Sequence, residues 1–190
     1  MNTLIIYSHP YPGSFNHAIL EKVKEALEAK GKPYEVIDLC ADGFDPRYSV
    51  EELALFNKGG TLDPLVTAYQ EKIKNADAMV VIAPVWWCDV PAVLKGFLDK
   101  VMKPGFAYES TPVGIKGSLT HIKSVLAITT ASSPTWYLRL FAGNAIKNVF
   151  LNTSMKQLGV AKRKWMNCGQ ITNITQEARE KFLEKVKEAI

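Results

Sequence analysis

A doubly wound α/β fold, a parallel sheet with helices on both faces, is what this chain predicts, and three observations predict it. Strand-like and helix-like segments alternate along almost all of its 190 residues, the order of a βαβ chain. The strand-like runs, Leu4-Ile5-Ile6-Tyr7 and Ala78 to Pro84 above all, are apolar at consecutive positions, as strands buried on both faces must be. The helix-like runs are apolar on one side only. No repeat, low-complexity tract or linker breaks the series, so residues 1–190 are read as one domain.

Each element follows in turn. Thr3–Ser8 is the first strand. Asn16–Lys30 is a helix with Ile19, Leu20, Val23, Ala26 and Leu27 along one face, stopped by Gly31. Tyr34–Leu39 is the second strand. The stretch Cys40–Leu62, with Gly43, Pro46, Gly59 and Gly60, is irregular and long for a connection, which marks a functional arm or part of an interface. Asp63–Asn75 is helical, Ala78–Pro84 is the third strand, and Pro91–Val101 is a helix with proline in its first turn. Ser124–Thr130 is the fourth strand, Tyr137–Gln157 one long helix, and Lys164–Asn167 the fifth strand. Thr175–Ala189 closes the chain as a helix with Ala178, Phe182, Val186 and Ala189 inward. Five parallel strands so linked fit the flavodoxin-like order 2-1-3-4-5, in which a ligand lies beyond the carboxyl ends of the strands.

Composition narrows the function classes. Hydrophobic content of 47% with 22% charged residues is that of an ordinary globular domain. A net charge of +4 is mildly basic, and the densest cationic run, Lys162-Arg163-Lys164, is short and ends at Trp165. That is the look of a solvated strand end, so no nucleic-acid partner is expected. Cys40, Cys88 and Cys168 are odd in number and form no Cys-x-x-Cys, and His9, His17 and His121 complete no zinc pattern with them. A reducing cytoplasm and no metal site are expected. The amino terminus carries no basic leader or cleavage site, and no stretch nears the roughly 20 apolar residues of a spanning helix.

In the expected sheet order, the loops after strands one, three and four meet in one crevice. The first, Ser8-His9-Pro10-Tyr11-Pro12-Gly13-Ser14-Phe15-Asn16, runs from a strand into a helix start, where unpaired N–H groups and the helix dipole favour an anion such as phosphate. Ser14 and Asn16 can add donors, His9 can reach a second phosphate, and Gly13 lets the backbone come close. The alternative is a merely capped helix with Ser14 or Asn16 as N-cap. The turn lacks Gly-x-Gly-x-x-Gly and Gly-Lys-Ser/Thr, which disfavours nicotinamide or ATP as the resident ligand.

The second loop, Pro84-Val85-Trp86-Trp87-Cys88-Asp89-Val90-Pro91, ends a strand with paired tryptophans that cannot both face the core. At least one is expected at the rim, as a wall for a planar ligand, against the alternative of helix-to-sheet packing by both. The third loop, Thr129-Thr130-Ala131-Ser132-Ser133-Pro134-Thr135-Trp136-Tyr137, offers hydroxyls and N–H groups for the polar edge of a ring, or else serines that cap the next helix. A phosphate cradle beside an aromatic slot with ring-edge donors describes a flavin site.

Ser8–Asn16, then Ala83-Pro84-Val85-Trp86-Trp87-Cys88-Asp89-Val90-Pro91-Ala92-Val93-Leu94-Lys95-Gly96-Phe97-Leu98-Asp99-Lys100-Val101 and Gly105-Phe106-Ala107-Tyr108, resemble the NAD(P)H:quinone reductases of the flavodoxin-like fold. The likeness runs to about Tyr137 and includes the arm segment Phe56-Asn57-Lys58-Gly59-Gly60. It implies that His9, Ser14, Phe15 and Asn16 hold the cofactor phosphates and that Pro84, Val85, Trp86 and Trp87 line the flavin ring. It also implies that Thr129 and Thr130, with Ala131 and Ser132, reach the ring's polar edge. Trp87, Cys88, Tyr108 and Tyr137 would form the substrate pocket, with Tyr108 entering the partner subunit of a homodimer and Tyr137 as the catalytic residue.

The sequence departs from the family where two glycines often follow the threonines, here Ala131 and Ser132. Cys88 stands in place of an aromatic, and Gly143 stands where the family's histidine is expected. The long arm and His9 resemble the branch that binds FAD, with FMN the alternative. The implied activity is two-electron reduction of a quinone or other small aromatic acceptor by NAD(P)H in a ping-pong cycle. The competing classes are a flavin-binding subunit of a potassium-efflux system and a flavodoxin-type electron carrier. The basic charge speaks against the carrier.

Overall fold

The computed structural model describes residues 1–190. Strands β1 (Thr3–Tyr7), β2 (Tyr34–Asp38), β3 (Ala78–Pro84), β6 (Ser124–Thr130) and β7 (Lys162–Cys168) form one sheet in the order β2-β1-β3-β6-β7, every neighbouring pair parallel. Counting these sheet strands alone, that is the expected 2-1-3-4-5. A short antiparallel hairpin, β4 (Tyr108–Thr111) and β5 (Gly114–Gly117), stands apart from the sheet and was not visible in the periodicity.

Alternation along each strand sorts side chains between two cores. Leu4, Ile6, Met79, Val81, Val125 and Ala127 enter the larger one, beneath α3 (Pro64–Lys74) and α4 (Ala92–Val101). Ile5, Tyr7, Val80, Ile82, Leu126 and Ile128 enter the smaller, beneath α1 (Phe15–Ala29) and α6 (Gln176–Ala189). Continuing the alternation to the end of β6 sends Thr129 and Thr130 to opposite faces, which matters below. No helix is long and apolar enough to cross a membrane.

Three expectations need correction. Tyr137–Gln157 is not one helix: α5 covers Thr135–Leu140, and a π-wound helix covers Ile146–Met155. Between them Gly143 (φ 69°) and Asn144 (φ 52°) both take left-handed backbone, which no continuous right-handed helix accommodates. The fifth sheet strand is longer than Lys164–Asn167, because Lys162–Cys168 pairs with the whole of β6. The arm is not structureless either. It holds α2 (Val50–Ala54), capped by Ser49, and a 3-10 turn at Phe56–Lys58 that ends on Gly59 at φ 69°. The arm lies against α4 at Gly96, where any Cβ would strike Pro46.

Buried ion pairs fasten the arm. Lys103 Nζ lies 2.6 Å from Glu52 Oε1 and donates to the Gly60 carbonyl at 2.7 Å. Lys100 Nζ donates to Asp63 Oδ2 at 2.9 Å and to the Asp45 carbonyl at 2.7 Å. Asp63 also caps α3 by accepting from the Leu65 N–H at 3.0 Å.

Candidate functional site

The turn from β1 to α1 is both capped and open. Ser14 Oγ accepts from the His17 N–H at 3.2 Å, so Ser14, not Asn16, is the N-cap. The Phe15 and Asn16 N–H groups keep no partner in the chain, at the end of the helix where the dipole is positive. Three buried polar atoms of β1 and this turn lack a hydrogen-bond partner, Tyr7 OH, Ser8 Oγ and Asn16 Oδ1, and of these residues Asn16 lines the cleft described below. Each such group costs about 1–3 kcal/mol when left unpaired. The other end of the Asn16 amide donates to Thr130 Oγ1 at 2.8 Å. Because a hydroxyl can accept or donate, the amide can turn over and present its NH2 to the cleft instead.

His9 borders the same turn. Burial lowers its pKa below the ordinary histidine value, and the Tyr11 N–H donates to Nδ1 at 3.1 Å. The ring is therefore neutral at pH 7 with its hydrogen on Nε2, a single donor rather than a cation.

The second loop carries strain. Trp86 and Asp89 exchange backbone hydrogen bonds at 3.0 and 3.1 Å around a two-residue turn. Its central residues, Trp87 (φ 51°) and Cys88 (φ 65°), both take left-handed backbone, the mirror-image turn that normally uses Asn-Gly. Non-glycine residues held there cost on the order of 1–3 kcal/mol each. Nothing apolar in the chain compensates, since Trp86 is 49% and Trp87 101% exposed. Both tryptophans stand at the rim, and neither packs helix on sheet.

The third loop is zipped to the segment after β7. The Ala131 N–H donates to the Cys168 carbonyl at 2.9 Å, and the Ala131 carbonyl accepts from Ile171 at 3.0 Å. The expectation that the Ala131 N–H is free for a ligand is thus corrected; the N–H groups of Ser132 and Ser133 are unpaired, as are those of Thr135 and Trp136 at the start of α5. Thr129 is corrected as well. Its hydroxyl faces the larger core, accepting from Trp165 Nε1 at 2.8 Å and donating to Asn167 Oδ1 at 2.7 Å.

Two adjoining clefts result. The narrower, about 200 Å³, is lined by His9, Ser14, Phe15, Asn16, Pro84, Thr130 and Ile171 among others. The wider, about 350 Å³, holds Trp87, Cys88, Ser133 and Leu138. Val85, Trp86, Ala131 and Ser132 line both and make them one trough. Two expected pocket residues do not line it. Leu138 rather than Tyr137 turns inward from α5, while the Tyr137 ring stacks on Phe141 at 6.2 Å. Tyr108 lies on the hairpin, beside Leu98 and Met102. Leu138 and Ile171 line the trough without any motif in the sequence to mark them, and Ser133 was marked only as a member of the third loop.

A family model described as flavodoxin-like fold matches residues 1–190. The chain belongs to this family. Within it, the chain is 36% identical over 150 residues to NAD(P)H dehydrogenase [quinone] 1 of Cavia porcellus, a match covering 70% of this chain. The chain spans only about half of that relative, 54% of its length. An uncharacterized NAD(P)H oxidoreductase of Haemophilus influenzae is 29% identical over 185 residues, covering 97% of this chain and 91% of that one. Among solved structures, an NAD(P)H:quinone oxidoreductase from Methanothermobacter marburgensis superposes with a TM-score of 0.87 at 28% identity, covering 100% of this chain and 94% of that one.

Proposed function

We propose that this chain is a flavin-dependent NAD(P)H oxidoreductase that reduces quinones, or similar small aromatic acceptors, by two electrons. The observation that carries the reading is the trough itself. The unpaired Asn16 Oδ1 and free helix N–H groups lie at one end, exposed tryptophans on a strained turn form one wall, and free loop amides form the other. The names of the relatives above support the same chemistry.

The residues fit a flavin by these features. The Phe15 and Asn16 N–H groups, with the Ser14 and Asn16 side chains, would bind the phosphate, and His9 Nε2 would donate one further hydrogen bond. Trp86 and Trp87 give the ring an apolar wall. The Ser132 and Ser133 N–H groups are fixed dipoles for negative charge at the ring's polar edge, and they need no reorganisation when that charge forms. A bound flavin would supply the two-electron chemistry, taking a hydride from NAD(P)H and handing the electron pair to the acceptor. One trough serving both substrates in turn makes the kinetics ping-pong.

No histidine stands at the family's position, which is Gly143, in left-handed backbone at φ 69°, so none is assigned as a proton relay for this cycle. Flavin reduction is therefore expected to lack a strong transition between about pH 6 and 8, where an imidazole titrates. The preferred cofactor is FAD, and a homodimer is expected in which Tyr108, outside its own trough, serves the trough of the second copy. The deciding experiment is to denature the purified protein, identify the released flavin, and assay NAD(P)H oxidation with and without menadione. Flavin release with menadione-dependent oxidation supports the reading; a chain that neither carries nor takes up FAD or FMN overturns it.

A further inference from the structure

The trough wall formed by the third loop is held by residues from the last part of the chain, where no sequence motif pointed to function. Trp165 Nε1, Thr129 Oγ1, Asn167 and Thr135 Oγ1 form one hydrogen-bonded chain with links of 2.8, 2.7 and 2.8 Å. Its polarity is fixed by chemistry. An indole N–H can only donate, so the Thr129 oxygen must accept it and send its own hydrogen to Asn167 Oδ1. The amide is thereby oriented with Nδ2 toward Thr135, the first residue of α5.

The approach is close as well as polar. A methyl group at Gly169 would stand 2.7 Å from the Thr135 nitrogen and 2.9 Å from the Ser133 carbonyl oxygen. There is no slack between the end of β7 and the loop that presents the Ser132 and Ser133 N–H groups.

We propose that Thr129 and Asn167 are positioning residues for the flavin's ring-edge loop: they touch no ligand, and act by fixing Thr135 and hence the Ser132 and Ser133 amides. This rests on the flavin reading of the trough for its consequence, though not for its mechanism. Thr129 thus serves the site from the opposite face of the sheet to Thr130, whose hydroxyl meets Asn16.

The test compares Thr129→Val, Thr129→Ser and Asn167→Leu in the full-length protein by two measurements. The first is amide hydrogen exchange, without flavin, at Ala131, Gln170 and Ile171, whose hydrogen bonds zip that loop to the segment after β7, and the second is the dissociation constant and midpoint potential with added FAD or FMN. Thr129→Val and Asn167→Leu should speed exchange at these amides about tenfold or more while exchange in β1 and β3 stays slow. They should weaken flavin binding by roughly tenfold and lower the midpoint potential, because loop amides out of place stabilise the reduced ring less. Thr129→Ser keeps the hydroxyl and should restore both. Equal loss in the serine variant overturns the proposal, as does unchanged exchange in the valine and leucine variants. Faster exchange with unaltered flavin affinity and potential overturns the functional half of it. A wild-type protein that binds neither flavin sinks the flavin reading instead, and the exchange data alone then decide whether the network holds the loop.

Discussion

Two regions of this molecule bury polar groups, and they do so in opposite ways. Under the arm, Lys103, Glu52, Lys100 and Asp63 are charged and deeply placed, yet Glu52 accepts from Lys103, Thr61 and the Leu62 N–H at 2.5–2.7 Å, and both lysines also reach carbonyls. At the β1–α1 turn, Tyr7, Ser8 and Asn16 are neutral and just as buried, but each leaves an atom without a partner. A satisfied polar cluster closes on itself and fastens a fold, whereas an unsatisfied one is completed only by something that is not part of the chain. Burial does not separate the two; the count of missing partners does.

The contrast breaks most visibly at Lys103. Lys103→Met keeps the volume but leaves Glu52 buried with its counter-charge removed. Breaking a buried pair in this way is expected to cost about 3–5 kcal/mol. The double variant Lys103→Met, Glu52→Gln should recover much of that loss. Urea unfolding of the two proteins without flavin measures the difference, and a single variant as stable as the wild type would show that the arm is held by its apolar contacts alone.

Acid sharpens the same point. Burial by itself raises the Glu52 pKa, but hydrogen bonds from Lys103, Thr61 and Leu62 prevail and hold it at about 2. With a folded pKa below the unfolded value, the group's stabilising contribution is complete above about pH 4.5 and is lost as pH falls toward 2. The loss should be on the order of 3 kcal/mol, read as a falling urea midpoint between those limits. The slope should shrink in Glu52→Gln and stay in Asn16→Leu. An equal slope in the Glu52 variant would assign the acid sensitivity elsewhere.

These two regions were not equally legible in the sequence. The sheet was, because strands buried on both faces must be written as continuous apolar runs, and Ala78–Pro84 and Ser124–Thr130 stand as expected. The turn was legible in outline, since strand, small residues and helix start adjoin in the chain. The arm's interior was not, because Lys100 and Lys103 look like surface lysines until the fold brings Glu52 and Asp63 to them. Thr129 was misjudged for a related reason: adjacent threonines read as one motif, but a strand sends neighbours to opposite faces. The helix break at Gly143-Asn144 was hidden by apolar periodicity continuing on both sides.

At the turn the expected effect is on the ligand, not the fold. Asn16→Leu removes an amide whose outer end has no partner and whose inner end meets only Thr130. Flavin binding should weaken by the equivalent of one or two hydrogen bonds to a charged group, roughly 1.5–3 kcal/mol each. Stability of the flavin-free protein should change by no more than about 1 kcal/mol. Titration of the protein with FAD and FMN, followed by fluorescence, gives the first quantity and urea unfolding the second. The reverse result, a large stability loss with unchanged affinity, would make this turn a structural cluster like the arm.

The smallest effect is at the tryptophan turn, and there its sign matters more than its size. Trp87 is fully exposed, so Trp87→Ala should alter stability by less than about 0.5 kcal/mol, against roughly 3–5 kcal/mol for a buried large aromatic. Cys88→Gly should go further and stabilise the chain. Glycine relieves about 1–2 kcal/mol of left-handed strain, and its greater freedom when unfolded returns about 0.4–1 kcal/mol of that. A net gain of about 0.5–1 kcal/mol remains. Strain kept at a wall of the trough, with nothing in the chain to offset it, is expected where a ligand is met. Both variants should therefore bind flavin or turn over NAD(P)H less well than the wild type, Trp87→Ala by losing the ring and Cys88→Gly by loosening it. Urea midpoints and steady-state kinetics with menadione separate the outcomes. A Cys88→Gly protein that is less stable would mean that Cys88 makes a favourable contact outweighing the strain, and a more stable one with unaltered kinetics would leave the strained turn without a part in the chemistry.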